Sequence, residues 1–447
     1  HYAYAGMLYR RLAEGIAESS FEHPYKHYHF CGFNALSKSE EQIFDQLYEK
    51  GLADLYWDVD PLYMMDRKEE AGFFLRQYQQ KWPDSHWISI DSLAQTKDIT
   101  IAAVPQSMGQ AHIGASILAD GASKGWKPEE TAIVLADEKL LLPVLNALPF
   151  EEHRVNVTMG YPVKFTVAYD LVDSYLELYR KAIVRGEHVL VTLHDLKPLL
   201  SNAYLSALEP QVYEKVINWS NRKKKTRMSL SSIAELLEQP ELAALFGAQA
   251  NWQSLFEGLT EFLTCVFYHF KEEEGKSVDL EFIYFFLKEF NKISSYLAER
   301  TETMSLKLVK KLVREHFRSA KIPFEGQPVE GFQIMGFLET RTLDFKNVII
   351  LSANDGKIPA QRNMASYIPF ALRKTFGLPT FEEQDAIYAY HFKRLLQRAE
   401  NVHFTYDAEV SRDSSGERSR FILQQLLKYK EHENIHINEL QYTGKLH

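Results

Sequence analysis

Short apolar runs alternate with stretches of helical period over the first part of the chain. Residues 4–16 repeat apolar positions at helical spacing, and residues 28–33 (YHFCGF) are an apolar run of strand length. Residues 37–50 read as a helix opened by Ser37, because Glu40 three positions later completes a capping box. A strand over 53–57 (ADLYW) follows, then a helix over 68–81 that Pro83 stops. Short apolar strands separated by helices indicate a parallel sheet with helices on its faces.

The alternation continues with strands at 98–104, 131–136 (TAIVLA) and 155–158 and helices at 109–124 and 139–147. Beyond 165 the strand signal fades, and aromatic-rich helical stretches take over at 252–271, 280–300 and 305–320. Phe282, Phe285, Phe286 and Phe290 recur at helical spacing, the pattern of a bundle core rather than a cofactor box. Strands resume at 331–337 and 347–352, followed by a long helix over 382–398 and a strand at 402–406. The pattern predicts one sheet domain built from 98–165 and 326–430 around a helical insertion.

The chain of 447 residues is long enough for roughly two to four domains. Its composition, 45% hydrophobic and 25% charged, is that of a folded globular protein. No apolar run reaches the ~18 residues that span a bilayer, and no basic-then-apolar leader opens the chain, so the expectation is a cytoplasmic protein without membrane contact. The chain opens on His1 rather than Met, which reads as a segment of something longer. A net charge of -9 argues against a globally basic DNA binder, but a clustered positive stripe suffices for phosphate contacts.

Several chemistries are excluded by missing motifs. No GxxxxGK[ST] occurs, no GxGxxG follows a strand, and GxSxG is absent. Cys31 and Cys265 are too few for a disulfide framework or a four-cysteine metal site. His23, His27 and His29 cluster before a strand, but a zinc site wants further ligands at defined spacing, so they read as surface or core histidines and no metal site is expected. Asp137-Glu138-Lys139 ends a strand in the acid-x-lysine manner of PD-(D/E)XK nucleases, yet the acid upstream of it falls in a turn, so it reads as a chance match. Of two basic runs, Lys307, Lys310, Lys311 and Arg314 read as a solvated helix face. The denser run, Arg222, Lys223, Lys224, Lys225 and Arg227, follows Trp219 and predicts salt-sensitive nucleic-acid binding.

Residues 331–359, GFQIMGFLETRTLDFKNVIILSANDGKIP, resemble the fifth motif of superfamily 1 helicases of the UvrD/RecB kind, and most of all the AddB/RecC-type subunits of bacterial recombinational-repair complexes. That motif reads approximately M-T-V-H-K-[SA]-K-G-L-E-F, then an apolar strand and an acidic Gly-x-x-Pro turn. Met335, Arg341, Leu343, Asp344 and Phe345 take its Met, second Lys, Leu, Glu and Phe positions, and Asn354-Asp355-Gly356-Lys357-Ile358-Pro359 is its turn. Gly336 and Leu338 stand where active helicases carry Thr and His. Arg398, in Gln397-Arg398-Ala399, matches the sixth-motif arginine that stabilises the γ-phosphate in active relatives. Cys31-Gly32-Phe33 replaces the Asp-Glu pair that orients magnesium and water, and Asp58-Val59-Asp60-Pro61-Leu62-Tyr63 resembles the third motif without its Gln. Gly32-Phe33-Asn34-Ala35-Leu36-Ser37, Asn156 to Pro162 and Ser415 to Ile422 also look like AddB-type stretches.

The resemblance implies an α/β fold of RecA-like parallel-sheet domains, of the P-loop NTPase kind, with an inserted all-helical subdomain. Residues 1–95 would close a first RecA-like domain, 96–165 and 326–447 would form the second and lead toward a nuclease domain, and 166–325 would be the insertion. It implies a DNA-binding scaffold of a repair helicase–exonuclease with Asp60, Asp344 and Arg398 as nucleotide-site remnants and no catalytic residue in this segment. DNA, single-stranded or forked, would meet Arg222, Lys223, Lys224, Lys225, Arg227 and Arg341. ATP and magnesium would belong to a partner such as an AddA/RecB-like helicase subunit, or to domains outside the segment. Two other readings stay open: a truncated active ATP-dependent helicase, and a protein–protein adaptor that no longer binds DNA.

Overall fold

The computed structural model describes residues 4–18, 21–148, 155–186, 188–247, 251–273, 275–298, 304–323, 331–360, 367–410 and 416–442. The chain forms two compact bodies: His1–Met159 with Glu325–His447, here the sheet body, and Gly160–Phe324, the helical body.

The sheet body opens with three parallel strands in sequence order, β1 (Tyr28–Cys31), β2 (Ala53–Val59) and β3 (His86–Ser89). The Ser37–Glu40 capping box is present, with Ser37 Oγ accepting from Glu40 N at 3.3 Å and Glu40 Oε2 accepting from Ser37 N at 2.7 Å. Burial alternates along β2, so Ala53, Leu55, Trp57 and Val59 enter the core. Asp54, Tyr56 and Asp58 consequently share the opposite face. Trp57 anchors the core side: its ring lies 5.7 Å from both Trp82 and Trp87, and Nε1 donates to Ser85 Oγ at 3.0 Å. The expected helix over 68–81 begins later, as a 3-10 turn at Glu70–Gly72 followed by Phe73–Lys81.

Three further strands follow, β4 (Lys97–Val104), β5 (Thr131–Leu135) and β6 (Val155–Val157). The helical body then contributes β7 (Tyr161–Pro162), β8 (Ile183–Arg185), β9 (His188–Thr192), β10 (Arg227–Ser229) and β11 (Lys321–Ile322). The chain returns to the sheet body with β12 (Phe332–Gly336), β13 (Asn347–Leu351), β14 (Asn401–Asp407) and β15 (Ile435–Gln441). The large sheet has seven strands in the order β15-β4-β14-β13-β5-β12-β6, every pair parallel. Its central strands β5, β12 and β13 are buried at every position, as a parallel sheet covered on both faces requires. A buried polar ladder pins the register of three neighbours: Asn347 Nδ2 donates to Thr131 Oγ1 at 3.0 Å, and Asn401 Nδ2 to Asn347 Oδ1 at 2.9 Å.

The helical body is mostly helical but not all-helical. Strands β8, β9 and β10 make an antiparallel sheet, and β7 pairs antiparallel with β11. These strands have two to five residues, too short to display an alternating pattern, which is why the sequence reads as helix throughout. The β7–β11 pair joins the two ends of the body, so it begins at Gly160 rather than near 166. Phe282, Phe286 and Phe290 are buried and Phe285 is half-buried, as a bundle core demands. The helix expected over 280–300 runs over Ser277–Ala298; residues 299 and 300 lie outside the described residues.

Candidate functional site

The long helix Phe381–Gln397 opens with a Thr380–Glu383 capping box. Its other end is held by buried Lys97 on β4, whose Nζ donates to the carbonyls of Leu396 at 2.9 Å, Gln397 at 3.3 Å and Ala399 at 2.6 Å. A cation on carbonyls that lack helical partners is favourable both as a cap and against the helix dipole. Burial pushes the Lys97 amine down to about 8. Buried Gln397 fastens the same end to the first sheet by donating to Val59 O at 2.9 Å and Ile90 O at 3.1 Å.

This docking aims Arg394 and Arg398, one helical turn apart, at the carboxyl end of β2. Asp58 Oδ2 takes Arg394 Nη2 at 3.0 Å and Arg398 Nη2 at 2.7 Å. Asp344 Oδ1 takes Arg394 Nη1 as well, and Arg398 Nη1 at 3.3 Å. Two guanidiniums and two carboxylates therefore neutralise one another. The Arg394 side chain is only 9% exposed and that of Asp58 16%, so the pairing works at reduced dielectric. The hydroxyls of Tyr63 and Tyr390 both lie 3.5 Å from the Asp58 carbonyl oxygen.

Asp344 reaches the cluster from a loop in which Thr342 has φ 63°. Gly32, with φ 71°, sits against that loop, and a Cβ there would stand 2.7 Å from Thr342 Cγ2. This is why β1 stops at Cys31 rather than running to Phe33. Replacing Gly32 with alanine is expected to cost about 1–2 kcal/mol, read as a lowered thermal midpoint. Arg341, in the same loop, is exposed, and its guanidinium lies 5.8 Å from the Phe33 ring.

The structure brings Asp344 and Arg398 together but sends Asp60 elsewhere. Asp60 is buried as the N-cap of Pro61–Met64, accepting from Leu62 N at 2.9 Å and Ser92 N at 3.3 Å. β2 ends at Val59, and the turn at Pro61 gives the Asp60 carboxylate a capping role outside the four-charge cluster. Asp58 and Arg394 are the members not anticipated. Arg394 was legible as the residue four before Arg398, and Asp58 as the last outward position of β2.

His391, on the same helix, is buried, and that burial together with the nearby Arg341 charge pushes its imidazole down to about 4. The unfolded chain takes up this proton near the ordinary value of 6.5, whereas the folded chain resists until about 4. The stability contributed by the neutral ring is therefore complete above the unfolded value and is lost as pH falls toward the folded one. Urea titrations at about pH 7 and about pH 4.5 are expected to differ by about 2 kcal/mol on this account, and His391→Gln should remove that part of the difference.

In the helical body, the helix Val212–Lys223 ends in the basic run, with Lys224 in the left-handed region at φ 49°. Lys225 is fixed by its N–H on Ser220 O at 3.1 Å and its carbonyl on Ser220 Oγ at 2.6 Å. Arg222, Lys223, Lys224, Lys225 and Arg227 are all exposed, and among the described residues no ion pair holds any of them. Trp219, His188, Lys224, Lys225, Arg227 and Ser232 line a groove of about 510 Å³. The second basic run differs. Lys310 is buried on Glu177 at 2.7 Å and Asp173 at 3.3 Å, and Arg314 grips Asp173 through two bonds of 2.7 and 2.8 Å.

Asp137 is engaged rather than open: it caps the turn at Lys139 N (3.1 Å) and pairs with Lys357 at 2.5 Å. On the outward face of the first sheet, His27, His29 and Asp54 bring their donor atoms within 4.8 Å of one another. His23 stays apart, its ring edge-on to Phe21 and Tyr28. No protein-family model matches the chain, and no curated protein matches it either.

Proposed function

We propose that the chain is a helicase-like DNA-binding scaffold, with RecA-like sheet domains and an inserted, mostly helical subdomain, whose ATPase chemistry has been lost. The observation that carries DNA binding is the basic run at 222–227, whose five cations are exposed and, among the described residues, unneutralised, beside a groove lined by Trp219. Cations of this kind gain affinity by releasing counterions from phosphates, and an aromatic ring beside them offers a stacking surface to an unpaired base.

The resemblance also implies a nucleotide, and the residues of the Asp58, Asp344, Arg394 and Arg398 cluster do not fit one. The arginine that would meet a γ-phosphate is bonded to Asp58 and Asp344 of the same chain, and Cys31-Gly32-Phe33 supplies no acid for magnesium. A phosphate would have to displace two carboxylates from two guanidiniums, so no hydrolytic step is assigned here. In this reading the motor is a partner of the AddA/RecB type, and the scaffold positions DNA for it.

Fluorescence anisotropy with labelled single-stranded and forked DNA, at low salt and without ATP, tests the reading. Binding that weakens steeply as salt rises is expected; absence of binding to either DNA at low salt would favour an adaptor instead.

A further inference from the structure

We propose that His27, His29 and Asp54 form a site for a divalent transition-metal ion of the zinc class. His27 and His29 are two residues apart, and in extended backbone that spacing sends both rings to one face. Strand pairing sets His29 directly opposite Asp54 on β2, whose outward face also carries Tyr56 and Asp58. Both rings converge on one oxygen: Asp54 Oδ2 lies 2.9 Å from His27 Nε2 and 3.4 Å from His29 Nδ1. Donor atoms around a tetrahedral ion with bonds of about 2.0–2.1 Å sit about 3.3 Å from one another, which the two histidine–carboxylate spacings approach, and all three donor atoms lie within 4.8 Å of one another.

The donor set selects the ion. Two imidazoles and one carboxylate suit zinc, cobalt, nickel or copper, whereas magnesium and calcium require shells dominated by oxygen. Three protein ligands leave a coordination position for water or for a donor from another molecule. The side chains of His27 and Asp54 are 39% and 38% exposed, which lets an ion enter without rearrangement of the core. Neighbouring His86 is held differently, its ring stacked 4.5 Å from Tyr56 and outside the converging group.

The whole chain, stripped with a chelator and dialysed, is titrated with zinc by calorimetry and with cobalt by visible absorption. One zinc ion per chain is expected, together with the intense visible bands of low-coordinate cobalt. His27→Ala, His29→Ala and Asp54→Asn should each weaken zinc binding by at least about tenfold, because loss of a direct ligand exceeds the effect of losing an outer partner. His23→Ala and His86→Ala should leave it unchanged. Far-UV circular dichroism identifies any variant that fails to fold, and the conservative Asp54→Asn exchange covers that case. Zinc binding that is equally tight in the His27→Ala, His29→Ala double variant, or cobalt retaining its aqueous spectrum, would overturn the proposal and leave an ordinary surface ion pair.

Discussion

Arg394→Ala is expected to destabilise the sheet body by about 3 kcal/mol, more than the matching change at Arg398. The reason is asymmetric burial. Arg394 is nearly enclosed and bonds both Asp58 and Asp344, while Arg398, with 24% of its side chain exposed, makes the same two contacts from the rim. Removing Arg394 leaves Asp58 with one cation, and Asp58 Oδ1 is already buried without a hydrogen-bond partner among the described residues. A buried carboxylate that loses its better-enclosed partner bears more of its desolvation cost, whereas rim pairs are screened. Arg398→Ala should accordingly cost only about 1 kcal/mol. Urea unfolding followed by tryptophan fluorescence measures both, and a double-mutant cycle with Asp58→Asn should return a coupling of about 1–3 kcal/mol for the Arg394 pair. Equal, negligible effects of the two arginine changes would mean that the four charges do not act as a closed cluster.

Reversing charge at Lys223, Lys224 and Lys225, each to Glu, is expected to lower affinity for single-stranded DNA on the order of a hundredfold at low salt. Three attractive contacts become three repulsive ones in a segment where, among the described residues, no carboxylate engages the run. The fold should survive, because these side chains are exposed and the turn is held through Ser220 and the backbone at Lys225. Reversal at Lys307 and Lys311 supplies a matched control. Their run shares its helix face with Lys310 and Arg314, which are committed to Asp173 and Glu177, so the local field is already compensated. Anisotropy titrations should show a large loss in the first variant and a small one in the second.

What could be read from the sequence depended on the length scale of each signal. The apolar runs TAIVL and NVIIL, buried at every position, announce central strands of a parallel sheet without any partner in view. Edge strand β15 gives little warning, since five of its seven residues are exposed and its composition is polar. Strand β3 escapes for the same reason, with three of its four residues exposed. In the four-charge cluster, Asp344 and Arg398 could be chosen because each lies in a motif of local spacing. Alternation alone sets Asp58 on the outward face of β2, but its pairing is hidden, because the partner Arg394 lies 336 residues further along the chain. Asp60 is ambiguous as sequence, because an acid before Pro61 also serves as a helix cap, the role it has in the structure. The two basic runs differ as sequence only in density; that Asp173 and Glu177 neutralise part of the second is visible in the structure alone.

The salt dependence of DNA binding tests the scaffold reading most directly. The affinity of the whole chain for labelled single-stranded DNA is measured across a salt series, beside a variant with Lys223, Lys224 and Lys225 each changed to Gln. The slope of log affinity against log salt should be steep for the wild-type chain and shallower by about 2 in the variant, since each lost phosphate contact removes about 0.7. Identical slopes would place the DNA elsewhere and contradict the assignment of the 222–227 run as its binding surface.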